Sequence, residues 1–140
     1  MQLEWLQWYV SQATKRKNRP IFNDHYLCPC CFMPTLTAPA AYEICSLCFW
    51  EDDGQDSDDA DDLRGGPNSN YTLTEARANF AAYCTMYRPE DSQAFNGQQQ
   101  YLEARQQLYQ LFLTAVSSGD KTDWRAVIKA KKNYNRLRWR

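Results

Sequence analysis

The chain has 140 residues, 44% of them apolar and 24% charged, with 16 basic against 17 acidic side chains and a net charge of −1. That length holds one domain with a core of its own, and the charge balance excludes a chain disordered throughout and a general polyanion binder, while leaving room for local patches. No stretch approaches the roughly 18 apolar residues of a membrane helix, and the start lacks the basic region of a secretory signal, so the expected setting is a reducing cytoplasm, with no membrane partner and with cysteines kept as thiols or metal ligands.

In chain order, Leu3, Leu6, Val10 and Ala13 recur at helical spacing and predict a short amphipathic helix over 2–14. The basic run Lys15 to Arg19 follows, suited to a helix C-terminus, and Pro20 closes it. Pro29, Pro34 and Pro39 forbid a helix through most of 21–50, where Tyr26-Leu27 and Tyr42-Glu43-Ile44 read as short strands, each leading into a cysteine pair. An acidic run and the loop signal Gly65-Gly66-Pro67-Asn68 occupy 51–70. Thr72 and Glu75 fit a capping box for a helix carrying Leu73, Ala76, Phe80, Tyr83 and Tyr87 on one face and ending at Arg88-Pro89. A second helix is expected over 97–117 with Gly119 as its C-terminal cap, and a third from near Thr122 with Trp124, Val127, Ile128, Tyr134 and Leu137 as its apolar stripe. The fold class expected is α+β: an N-terminal helix (1–20), a two-turn β module (21–70) and a helical region (71–140), forming one compact unit.

Five of the six cysteines fall between positions 28 and 48. Cys28 and Cys31 form one C-x2-C pair, and Cys45 and Cys48 form another after a gap of 13. Two thiolates separated by two residues share one tight turn, and two such turns supply four sulfurs for a tetrahedral ion at about 2.3 Å. The ion expected is Zn2+. Four cysteine ligands leave no open position, so its role would be structural. Phe32 and Phe49 stand directly after the turns, where a positive φ often favours glycine. Cys30 is ambiguous: it can replace Cys31 in a tighter C-x-C bite, or remain a spare thiol beside the metal whose oxidation ejects zinc. Cys84 reads as a buried free thiol and the lone His25 as a surface or strand residue.

These residues carry a resemblance. Cys28-Pro29-Cys30-Cys31, Tyr42-Glu43-Ile44-Cys45, the stretch Cys48-Phe49-Trp50-Glu51-Asp52-Asp53, Gly65-Gly66 and Glu75-Ala76 resemble the bacterial cysteine-rich CPCC family over about residues 24–87. Phe32 departs from the glycine usual there. The resemblance implies a small zinc-ribbon-like bacterial protein and assigns no activity.

Between Glu51 and Asp62 lie eight carboxylates and no cation. Self-repulsion predicts an exposed loop. Asp56 and Asp58 have calcium-loop spacing, but Ala60 occupies the third ligand position. As a surface, Glu51, Asp52, Asp53, Asp56, Asp58, Asp59, Asp61 and Asp62, with Trp50 as an apolar anchor, could mimic nucleic-acid phosphate and fill the basic cleft of a toxin or nuclease. The reading is therefore a non-enzymatic, zinc-stabilised protein-binding module, an immunity protein or antitoxin. Against an enzyme stand a single His, no phosphate loop and no nucleophile elbow, although C-x-x-C supports thiol redox chemistry. A nucleic-acid-binding alternative rests on Lys15 to Arg19 and on the last twenty residues, which hold eight basic groups, one acidic group and Trp139.

Overall fold

The computed structural model describes residues 19–138. The helix expected over 2–14, most of the first basic run and Trp139 lie outside the described residues. A three-stranded antiparallel sheet, β1 (Ile21–Phe22), β2 (His25–Leu27) and β3 (Pro34–Leu36), precedes four helices: α1 (Leu73–Tyr83), α2 (Ser92–Gln99), α3 (Leu102–Ser118) and α4 (Lys121–Arg138). The fold is α+β. Ile21 pairs with Tyr26 and Phe22 with His25 across the two-residue turn Asn23-Asp24, both at positive φ, the primed geometry that matches strand twist. The first cysteine turn connects β2 to β3. The strand expected over 42–44 reduces to a single bridge, Ile44 to Glu51, supported by Tyr42 and Asp52 donating backbone N–H groups to the carbonyls of Asp52 and Glu43.

α1 starts where expected: Thr72 Oγ1 accepts the Glu75 N–H at 3.0 Å. The Glu75 carboxylate does not reach back to complete the box. It accepts instead from Arg88 at 2.6 and 2.7 Å and from Asn79. α1 also stops four residues before Tyr87, because Cys84 turns left-handed (φ 59°) and donates its N–H to Phe80. The chain then runs back to the cysteine turns, where Met86 N–H meets the Cys48 carbonyl at 2.9 Å. The helix expected over 97–117 is broken at Gln100-Tyr101 into α2 and α3. The break strands carbonyls at the end of α2, and buried Arg105 takes one of them, that of Gln98. Gly119 caps α3 in the left-handed conformation, φ 68°. On α4, Val127 and Tyr134 are buried as expected, whereas Ile128 and Leu137 remain substantially exposed.

One continuous apolar cluster joins the cysteine turns, Trp50, Leu73, Ala76 and Phe80 to Leu108, Phe112, Val127 and Tyr134. The sheet is too small to bury a face by itself, so the helices form the other wall of the cysteine site.

Candidate metal centre

The two cysteine turns have the same internal geometry seventeen residues apart. In the first, Phe32 N–H bonds the Cys28 carbonyl at 2.9 Å, Cys30 N–H meets Cys28 Sγ at 3.4 Å, and Cys28 N–H bonds the Met33 carbonyl at 2.8 Å. In the second, Phe49 N–H bonds the Cys45 carbonyl at 3.0 Å, Leu47 N–H meets Cys45 Sγ at 3.4 Å, and Cys45 N–H bonds the Trp50 carbonyl at 2.9 Å. Phe32 (φ 65°) and Phe49 (φ 74°) take the left-handed backbone in which glycine costs less. The turn geometry is therefore kept without glycine, and each phenyl ring lies under a guanidinium: Arg77 is 4.9 Å from the Phe32 centroid, and Arg105 is 5.3 Å from that of Phe49.

The turns bring Cys28, Cys31, Cys45 and Cys48 together, with all four sulfurs within 4.8 Å of one another and all four residues buried. Cys28 and Cys48 are 3.6 Å apart and Cys31 and Cys45 3.7 Å, far longer than a disulfide. A tetrahedral ion bound to sulfur at about 2.3 Å needs sulfur–sulfur edges of about 3.8 Å, so the cluster already has the right size to hold one metal ion. Burial pushes the Cys28, Cys31 and Cys48 thiols well above the usual range. Burial alone would raise Cys45 too, but hydrogen bonds from the other three thiols and from Thr35 hold it well below. Thr35 Oγ1 lies 3.0 Å from Cys45 Sγ and, with Leu47 N–H, directs two donors at that sulfur. Such donors stabilise a thiolate and orient it as a ligand.

Cys30 is not in the four-sulfur group. It occupies the position of Leu47 in the second turn, where the backbone N–H faces a sulfur, and its own thiol is hydrogen-bonded with Cys48. Its thiol is buried, and burial raises its pKa against the opposing hydrogen bond with Cys48 and the charge of Arg77. Cys84 is a buried free thiol, and His25 lies half-buried in β2 with Nδ1 2.8 Å from the Asn23 carbonyl.

The acidic segment departs from the exposed loop expected. Asp52 and Asp56 are fully buried and share Arg19: Nη1 reaches Asp52 at 2.6 Å and Nη2 reaches Asp56 at 3.2 Å. Ala40 N–H bonds Asp52 as well, at 2.7 Å, and Arg77 approaches Asp56 at 3.6 Å. Burial raises the Asp56 carboxyl, against the pull of Arg19. Arg64 pairs with Asp53 and Asp59, and Thr74 with Asp61. Gln55 Nε2 spans the carbonyls of Asp59 and Asp62, both at 2.7 Å. Asn68 holds the Glu51 backbone through both its N–H and its carbonyl, at 3.0 and 2.8 Å. Arginines from outside the run thus supply the cations that it lacks. Trp50 is also fully buried in the core, so Trp50, Asp52 and Asp56 are not surface groups, and the exposed carboxylates reduce to Asp58, Asp61 and Asp62, with Glu51, Asp53 and Asp59 half-buried.

Composition and spacing gave no sign of Thr35, Arg19, Arg77, Asn68 or Arg105, because each acts on a group far away in the chain. A polar residue between apolar neighbours in β3 is the one local hint, at Thr35.

Among the described residues no helix is long and apolar enough to cross a membrane. No curated protein and no solved structure matches this chain. A family model, described as cysteine-rich CPCC, matches residues 26–100, from the strand before the first cysteine turn to the end of α2. The chain belongs to the cysteine-rich CPCC family.

Proposed function

We propose that the chain is a non-enzymatic protein-binding module whose fold is braced by one zinc ion held by Cys28, Cys31, Cys45 and Cys48. The observation that carries this reading is the fully buried, closed set of four sulfurs. Four thiolates complete a tetrahedral shell, leaving no position for water or substrate, and this is the pattern of structural sites. A tetrahedral sulfur set also suits iron, so the metal must be identified. Elemental analysis of freshly purified protein is expected to find one zinc per chain, lost together with native structure on treatment with a strong chelator. Protein that folds fully with no bound metal would refute the zinc brace.

For the partner, the reading narrows from the whole acidic run to its outward side, Asp58, Asp61 and Asp62. Those carboxylates, fixed on a rigid loop, suit a basic protein such as a toxin or nuclease domain, with this chain as its immunity protein or antitoxin. A salt-sensitive complex isolated from the native host should weaken when all three are changed to Asn. Complex formation indifferent to those changes and to salt would overturn this choice of surface.

A second reading, nucleic-acid binding, has its own support. Arg125, Lys129, Lys132 and Arg136 are exposed along one side of α4. Beside them a groove of about 250 Å³, lined by Trp124, Ile128, Lys131 and Lys132 among others, sets an aromatic ring next to cations. Titration of single-stranded and duplex oligonucleotides at low salt separates the two readings: binding that falls steeply with salt favours this one.

A further inference from the structure

We propose that the groove between α4 and the β1–β2 hairpin binds a small organic anion with a flat apolar body, an aromatic carboxylate. Neither reading above assigns it this occupant, and the proposal does not rest on the metal centre. Trp124, Ile128, Lys131 and Asn135, spaced by four, three and four residues, share one side of α4 and all line the groove. Val127 and Tyr134 beside them are buried in the core, whereas Ile128 is left 45% exposed. A single exposed apolar side chain is ordinary, but this one stands in the wall of a hollow of about 250 Å³. That is the space of roughly eight water molecules, which a one- or two-ring body fills.

The walls are held by contacts within the protein. Buried Phe112 from α3 and buried Pro34 from β3 line the groove together with Val127. Phe112 meets the Trp124 ring edge to face, with centroids 6.4 Å apart, and so fixes the indole. On the hairpin side, His25 Nδ1 lies 2.8 Å from the Asn23 carbonyl. A carbonyl only accepts, so Nδ1 carries the hydrogen and holds the ring in place. An apolar hollow with a few polar groups is the usual form of a small-molecule site. The charged groups here are of one sign. No carboxylate lines the groove, and Lys131 and Lys132 border it without an ion pair to any carboxylate of the described residues. An apolar guest alone would fill the hollow and leave both ammonium groups unmatched, whereas an anionic head on the same body meets them. Lysines without an arginine suit a carboxylate, since a phosphate is held most firmly by the paired donors of arginine.

Methyl NMR of the full chain labelled at isoleucine tests this, because the sequence holds only Ile21, Ile44 and Ile128. The probes are naphthoate, its neutral amide and adenosine monophosphate. Naphthoate is expected to shift the Ile128 resonance saturably and to leave that of Ile44, beside the second cysteine turn, unmoved. The amide should bind about tenfold more weakly, the effect of losing charge-assisted hydrogen bonds to lysines that reach solvent. In the double variant Lys131→Gln, Lys132→Gln the two probes should bind alike, a comparison within one protein that a change in overall stability does not imitate. If that variant does not fold, the two probes on the wild type decide. No saturable shift at Ile128 refutes the site. Equal binding of naphthoate and its amide by the wild type reduces the groove to an apolar patch and refutes the anion. A preference for naphthoate that survives the double variant shows that the lysines do not hold the head, and refutes the proposal. Tighter binding of adenosine monophosphate than of naphthoate gives the groove to a nucleotide, favours the nucleic-acid reading and overturns the proposal. An Ile128 shift that follows protein concentration without any probe shows a second copy covering the groove, and overturns it as well. Zinc content bears on none of these outcomes, so the metal reading stands or falls separately.

Discussion

The cysteine centre and the acidic segment lie side by side in the chain, and both gather groups that repel one another when ionised. They are resolved in opposite ways. The cysteines are brought together by two local turns, each closed by bonds within six residues, and all four sulfurs face one another. The carboxylates are matched to cations and donors from outside the run, with Asp52 and Asp56 sharing Arg19 and with Ala40, Arg64, Arg77 and Thr74 supplying further partners. A cluster of like groups facing inward calls for an ion at its centre, whereas a cluster neutralised by side chains from outside does not. Reading both as ligand sites, or both as surfaces, would miss this difference.

The sharpest way to break the comparison is to remove one group from each cluster. Cys45→Ser removes the sulfur that accepts from both Thr35 and Leu47. It is expected to abolish stable metal binding and unfold the turn region, since metal binding and folding are one process in such modules. Circular dichroism and metal content of the purified variant check this, and a folded variant that still binds metal tightly would contradict it. Arg19→Met leaves Asp52 buried without its cation and Asp56 with Arg77 alone. Breaking a buried ion pair by removing one partner costs about 3–5 kcal/mol, so urea unfolding should show a loss of that order with metal content unchanged. If Arg19→Met released metal, the two clusters would be coupled rather than separate.

This difference also decides what was legible in advance. Cysteine spacing encodes a local turn, so the set of four sulfurs and the equivalence of the two turns can be read from 28–31 and 45–48 alone. The Thr72 cap and the Gly119 terminus are equally local. The rest depends on partners far apart in sequence. The acidic run contains no cation, yet its core is neutralised by an arginine 33 residues before Asp52. Glu75 was expected to close its own helix and instead pairs with Arg88, 13 residues on. The break between α2 and α3 falls in a glutamine-rich stretch of unbroken helical propensity. Buried Arg105 caps α2 at this break, and no periodicity reveals that.

Two smaller effects sharpen the contrast. Thr35→Val keeps the shape of the side chain and removes only the hydroxyl on Cys45 Sγ. Metal affinity is expected to fall about tenfold, with little change in the metal-free fold, as judged by chelator competition and urea unfolding. An unchanged affinity would mean that the Leu47 N–H suffices to orient that sulfur.

The smallest effect is that of the Glu75–Arg88 pair, which links the start of α1 to the segment returning to the cysteines. The hydrogen bonds from Arg88 hold the Glu75 carboxyl below its ordinary value, against a smaller opposing effect of burial. A carboxyl whose value is lower in the folded chain than in the unfolded one contributes stability at pH values above the unfolded value of about 4.5. That contribution is lost as pH falls through the folded value. Both side chains are partly exposed, so screening limits it to under about 1 kcal/mol. Glu75→Gln should therefore lower stability slightly at neutral pH and flatten its fall on acidification below about 4.5. A metal held by the four sulfurs would be lost with acid as well, because protons compete for the thiolates. The comparison is therefore made at fixed excess metal, where the wild type and Glu75→Gln share the loss from the sulfurs and differ only by the carboxylate. Parallel curves for the two proteins would show that the pair sets the path of the chain after α1 without stabilising it.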